Sequence, residues 1–168
     1  DRDSILLHLV RIMKFLISNI DQDTGCLRAL YGDWNDALDG LGKTKDKTKE
    51  FGNGVSVMAT LQLYLALGQM CEILEKVGDH QDLIEYYKTI RESVAKGVET
   101  YALLKDERGF AKMVHGWGED RSYFVGSFSD HDGASRISLT SNAFCAISGI
   151  MENFPEYKED IIKNITDL

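Results

Sequence analysis

The sequence has little proline, cysteine or histidine and no long uninterrupted apolar run, and each shortage excludes something. A single proline, Pro155, in 168 residues leaves helices free to run and argues against collagen-like or proline-rich extended chains. The three cysteines, Cys26, Cys71 and Cys145, are odd in number and widely spaced, with no C-x-x-C. They do not make a disulfide framework or a zinc-ligand pattern and read as reduced core thiols of a cytoplasmic protein. None of the four histidines has a second at ligand spacing, so no metal is expected; His131, between Asp130 and Asp132, is half a site and reads as solvated loop. No stretch approaches ~18 consecutive apolar residues. The start, Asp1-Arg2-Asp3-Ser4, lacks the basic-then-apolar order of a signal peptide and has no initiator Met, as expected of a processed or excised piece. The Asn164-Ile165-Thr166 sequon matters only in a secreted chain.

Positive charge is also scarce. Nineteen Lys plus Arg against twenty-seven Asp plus Glu leave a net charge of −8, which repels phosphate backbones and anionic lipids. The densest basic run, Lys43, Lys45, Lys47 and Lys49, has no interleaved aromatics on which bases would stack, so it reads as a solvated loop and neither nucleic acid nor membrane is an expected partner.

What is present is 43% hydrophobic and 27% charged residues, enough to fold as one globular domain over 1–168. Apolar residues at helical spacing, Ile5, Leu9, Ile12, Met13, Leu16 and Ile20, predict a helix over 4–20 capped by Asp3 or Ser4. Leu7, Val10, Phe15 and Ile17 widen its stripe, which predicts cover on more than one side. Further helices are expected over 55–77, stopped by Gly78, and over 82–104, the two forming an antiparallel pair. Two more are expected over 141–154, with Ser138 and Thr140 as cap candidates, and over 157–165, just past Pro155. The stretches 26–53 and 105–136 have no helical period; the second contains short runs at 110–114 and 123–125 that suit strands. The fold class is therefore all-α, with about five helices, long loops and a short β-hairpin. Long loops in compact domains tend to carry function.

The first loop contains Tyr31-Gly32-Asp33-Trp34-Asn35-Asp36-Ala37-Leu38-Asp39-Gly40. One account is an acidic turn with Trp34 plugging the core and Asp33 and Asn35 satisfying loop backbone in Asx turns. The other is sugar chemistry: an indole against a pyranose face, Asn and Asp on its hydroxyls, and one carboxyl group protonating a departing glycosidic oxygen. In the second loop and beyond stand Gly126-Ser127, the run Ser135-Arg136-Ile137-Ser138-Leu139-Thr140-Ser141-Asn142-Ala143-Phe144, and Ala146-Ile147-Ser148-Gly149.

The Gly32-Asp33-Trp34-Asn35-Asp36 string, followed by Gly54-Val55-Ser56-Val57 opening an apolar helix, resembles the catalytic-acid loop of the cellobiose and chitobiose phosphorylase family, which includes β-1,3-oligoglucan phosphorylases. The later strings resemble that family's Gly-Ser, Gly-Arg/Lys-Ile, Pro-Gln-Ser-Trp and Val-Ile-Ser-Gly succession. The resemblance covers nearly the whole chain and implies part of the catalytic (α/α)6 toroid, a ring of twelve helices that five cannot close. It implies an inverting glycoside phosphorylase acting on a β-linked gluco-disaccharide or oligosaccharide. Asp36 would be general acid, Trp34 would contact the donor sugar with Asp33 and Asn35 beside it, and inorganic phosphate would be co-substrate, with no other cofactor. An anion-favouring helix start places Asn142 and Ser141 near phosphate, although Asn142 stands where the family has a longer Gln. The family's phosphate-binding His is missing from its usual turn, and His115 is the substitute, set against an ordinary surface histidine. Trp117 and Tyr123 line the acceptor subsite or pack. The family's donor-binding Arg and Asp lie upstream and its Thr-Gly pair downstream, so the segment alone is expected to be inactive without the remaining portions of the domain. Homodimers are common in the family. Two other readings stay open: an inverting hydrolase with Glu119 or Asp120 as base, and a non-catalytic helical scaffold or carbohydrate-binding module.

Overall fold

The computed structural model describes residues 4–31 and 40–167. The 32–39 segment, with Asp33, Trp34, Asn35 and Asp36, lies outside the described residues.

Helix α1, Ile5–Ser18, starts where Ser4 Oγ accepts the Leu7 N–H at 3.2 Å. Its expected cover on more than one side is found on one side only among the described residues, where Leu6, Leu9, Val10, Leu16 and Ile17 pack half-buried against the core. Met13 is its one buried side chain, while Ile5 is 80% and Phe15 60% exposed. A wide apolar stripe states a demand for burial and not which segment meets it.

Strand β1, Val55–Ser56, runs directly into α2, Val57–Val77, with Ser56 serving as its cap. Gly78 ends the helix at φ +82°, and α3, Gln81–Gly97, returns alongside after three residues. Leu61, Leu67 and Leu74 on α2 and Val94 on α3 are fully buried, each burial contributing about 1.5–3 kcal/mol. By length and composition alone α2 would cross a membrane, but more than half of its most apolar stretch is buried within the fold.

Helix α3 stops earlier than its apolar spacing predicts. A π turn at Val98–Ala102 leads into β2, Leu103–Lys105, which pairs antiparallel with β3, Ala111–Met113. The turn between them is fixed by the Asp106 carboxylate, which accepts the N–H groups of Arg108 and Phe110. The 110–114 run thus forms a strand, but its partner is 103–105 and not the 123–125 run; Leu103 and Leu104, expected in a helix, pair instead, because ladder pairing overrides local period. A second sheet has the order β1, β4 (Gly116–Trp117), β5 (Phe124–Val125).

Helix α4, Leu139–Ile147, begins two residues before its predicted start with Ser138 as cap. The predicted 141–154 helix breaks at Gly149, φ +77°, and continues as a 3-10 turn, Ile150–Asn153. Helix α5, Lys158–Thr166, packs on α4 and β3. The all-α class is thus corrected to mostly helical, with five α-helices and two small sheets among the described residues. Cys26, Cys71 and Cys145 are free and buried. Asn164 is buried and donates to Ala111 O, so its amide is not presented for glycosylation.

Candidate functional site

A cleft of about 620 Å³ opens between the β4–β5 hairpin and the start of α4, lined by His115, Tyr123, Phe124, Val125, Asp130, Arg136, Ile137, Ser138, Leu139 and Thr140 among others. His115 sits in the link between β3 and β4. Its carbonyl accepts the first N–H of α2, from Val57, and its own N–H donates to Val125 O at 2.8 Å, so the backbone is tied to helix and sheet at once. The imidazole is buried, which corrects the surface-histidine reading, and its Nδ1 lies 3.1 Å from Ser138 Oγ. Ser138 Oγ also caps α4, accepting the Ser141 N–H at 3.4 Å and donating to Ser141 Oγ at 3.1 Å. Gly126, φ +80°, allows this approach: a Cβ there would lie 3.1 Å from both His115 N and Ser138 Cβ.

The loop from Ser127 to Arg136 forms one wall. Asp130 is buried, and its carboxylate accepts the N–H groups of Gly126 and Ser127, the Ser127 hydroxyl and Arg136 Nη1. Burial pushes this carboxyl up, yet the donors outweigh it and hold it below its ordinary range. Arg136 Nη1 also reaches Asp132 Oδ1 at 2.7 Å, and this bond holds Asp132 far below its usual range. Behind the wall lies Lys112, 1% exposed, whose Nζ donates to Ser127 O at 2.8 Å, Ser135 Oγ at 3.1 Å and Arg136 O at 2.7 Å. These three bonds match the three donors of an ammonium group, and Nζ lies 4.1 Å from the centroid of the Phe128 ring. An unpaired buried cation costs several kcal/mol, so the arrangement holds only because every donor is answered. Burial lowers the Lys112 pKa, while the Asp130 charge acts the other way.

The structure separates the remaining candidates. Asn142 is fully buried: Nδ2 donates to Met113 O and Ser138 O, and Oδ1 accepts from Met113 N and Asn164 Nδ2. Ser141 is fully buried beside it. Both support the cleft from behind and present no donor to an anion, which corrects the phosphate reading of this pair. Trp117 is 1% exposed, packs against Phe124 with ring centroids 5.8 Å apart, and borders a separate recess with Asp21, Asn53 and Asp120, not the cleft. Of the two aromatic candidates, Tyr123 is the one in the cleft wall. Its ring lies where a Cβ on Gly118 would stand, 2.1 Å from Cε1.

The 32–39 segment is flanked by described residues. On its N-terminal side Tyr31 packs edge-on against Phe51, ring centroids 4.4 Å apart, and hydrogen-bonds Glu50; Leu30 before it is held at φ 52°. On its C-terminal side Gly40 lies near Tyr123: a Cβ there would stand 3.3 Å from the tyrosine hydroxyl oxygen. The two carboxylates of the hydrolase reading hold loops. Glu119 accepts from Thr44 Oγ1 and Lys45 N, which places its carboxyl below the ordinary range, and Asp120 exchanges hydrogen bonds with Asn53. Among the described residues no group of three or more His, Cys, Asp or Glu could hold a metal.

Lys112 and Asp130 are absent from the sequence-based candidates. Lys112 falls inside a strand-like apolar run, where a lysine reads as the solvent face. Asp130 does leave a trace, the Ser-x-x-Asp spacing from Ser127.

The described residues form a mostly helical chain with a cleft between the β4–β5 hairpin and the start of α4. The sequence matches the glycosyl hydrolase 94 superfamily, catalytic domain, over residues 1–167. The chain belongs to that superfamily, which includes inverting phosphorylases. It is also similar to the solabiose phosphorylase of Paenibacillus borealis, with 26% identity over 157 residues, covering 86% of this chain and 17% of that protein. The chain thus spans well under a quarter of that relative's length.

Proposed function

We propose that this chain is the part of an inverting glycoside phosphorylase that carries the general acid, within an (α/α)6 toroid. Asp36 donates a proton to the leaving sugar oxygen while inorganic phosphate attacks the anomeric carbon from the opposite face, giving a sugar 1-phosphate. Phosphate is already anionic at neutral pH and needs no protein base, so one carboxyl group suffices where an inverting hydrolase requires two. Trp34, Asp33 and Asn35 contact the donor sugar, Tyr123 takes the aromatic role at the acceptor side, and His115 faces the phosphate. The substrate is a β-linked gluco-disaccharide or oligosaccharide, and the protein is cytoplasmic and homodimeric.

The observation that supports the reading is the closeness of Gly40, which follows the Asp36 segment in the chain, to Tyr123 in the wall of the His115 cleft. The engagement of Glu119 and Asp120 in loop contacts supports phosphorolysis over hydrolysis. The test uses the full-length protein carrying this segment, with cellobiose, laminaribiose, chitobiose and solabiose as substrates. Sugar 1-phosphate is expected only when phosphate is present, and Asp36→Asn should lower kcat by about 10²–10⁴-fold with KM little changed. Free sugar released in phosphate-free buffer would favour the hydrolase, and sugar binding without turnover the binding module.

A further inference from the structure

We propose that Lys112 is a positioning residue for this site, holding the Ser127–Arg136 wall so that Ser138 meets His115. The inference rests on the phosphorylase reading of the cleft.

Lys112 lies on β3, three residues before His115, and reaches away from the hairpin to the two ends of the wall. It holds Ser127 O at one end and Ser135 Oγ and Arg136 O at the other. The same two ends are joined directly by Arg136 N–H to Ser127 O at 3.1 Å. Two residues after Arg136 comes Ser138, whose Oγ both caps α4 and meets His115 Nδ1. The lysine thus fixes the segment leading into Ser138 from below, and β3 fixes His115 from the other side. A neutral side chain at 112 would leave Arg136 O and the Ser135 hydroxyl without that donor and Ser127 O with the Arg136 N–H alone, and the wall would move to recover the lost bonds. The general acid sits on a different segment, so the damage should fall on ligand binding and not on proton transfer.

That separation makes the role testable. In the full-length protein, phosphorolysis of whichever of the four disaccharides the wild type cleaves is measured with varied inorganic phosphate. Lys112→Met is expected to raise the phosphate KM about tenfold, with kcat at saturation within about threefold of wild type. Ser135→Ala, which removes one of the three partners and should fold, is expected to raise it two- to threefold. Simple destabilisation gives another pattern, a lower kcat from a smaller active fraction with KM unchanged. Phosphate KM within experimental error of wild type in Ser135→Ala, together with an unchanged KM in whatever folded Lys112→Met is obtained, overturns the inference and leaves the phosphorylase reading standing. A wild type that makes no sugar 1-phosphate from any of the four removes the reading and the inference with it.

Discussion

The two long loops look alike in sequence, both glycine-punctuated and without helical period, yet they are held by different physics. Around the cleft, from Lys112 to Asn142, three polar side chains are buried, an ammonium group with three acceptors, a carboxylate with four donor groups and an amide with four bonds, while the Arg136–Asp132 pair is exposed. Along 43–53 the polar contacts are exposed or half-buried, with Lys49 near Asp46, Asp46 turning Thr48, and Glu119 reaching across to Thr44 and Lys45. A buried polar group that loses its partner has no water to replace it, whereas an exposed one does. The lesson is that bonds withdrawn from water hold one loop as a wall, while bonds open to water only shape the other locally.

The sharpest way to break this comparison is at Asn142. Both backbone groups of Met113, on the side of β3 away from β2, are answered by its amide. Asn142→Leu leaves them and Asn164 Nδ2 without that partner in the interior, and the expected loss is about 3–5 kcal/mol in urea unfolding. A loss below about 1 kcal/mol would mean that the buried clasp contributes no more than an exposed contact.

Asp130 tests the same contrast through pH. Its folded carboxyl is held below the ordinary value of about 3.9, so the unfolded chain binds the proton more readily. Its contribution is therefore fully present above about pH 4 and is lost as pH falls through the folded value. Asp130→Asn should cost about 1–3 kcal/mol at pH 7, because the new NH₂ group faces the N–H of Gly126 or Ser127. The gap between variant and wild type should narrow as the pH is lowered below 4. A gap independent of pH would show that the charge on Asp130 is not what holds the wall.

Much of the scaffold was legible in the sequence because it follows from one-dimensional pattern. The α2–α3 pair, the stop at Gly78, the Ser138 cap and the strand runs near 111–113 and 124–125 come from spacing and turn chemistry. What was not legible depends on partners distant in sequence. The burial of His115, the enclosure of Lys112 and the use of Asn142 as a clasp all arise where β3, the 126–136 loop and α4 converge. The period of α1 was legible and its exposure was not, since a stripe does not name its cover. The site divides the same way: the motif at 32–39 is a sequence observation, while the cleft beside His115 is a structural one.

The smallest expected effect lies at Glu119, and it sharpens the comparison by being small. Its carboxylate makes as many protein hydrogen bonds as many buried groups do, to Thr44 Oγ1 at 2.7 Å and Lys45 N at 3.1 Å, and these donors hold its carboxyl below the ordinary range. Water reaches both partners, so Glu119→Gln should leave the melting temperature indistinguishable from wild type, and raising the salt concentration should change the wild type little at this position. The substitution also removes one of the two candidates, Glu119 or Asp120, for the single base of an inverting hydrolase. Phosphorolysis unchanged in Glu119→Gln, beside the loss expected in Asp36→Asn, would separate the loop that carries chemistry from the loop contact that only shapes it. A large loss of phosphorolysis without a loss of stability would instead return Glu119 to the site.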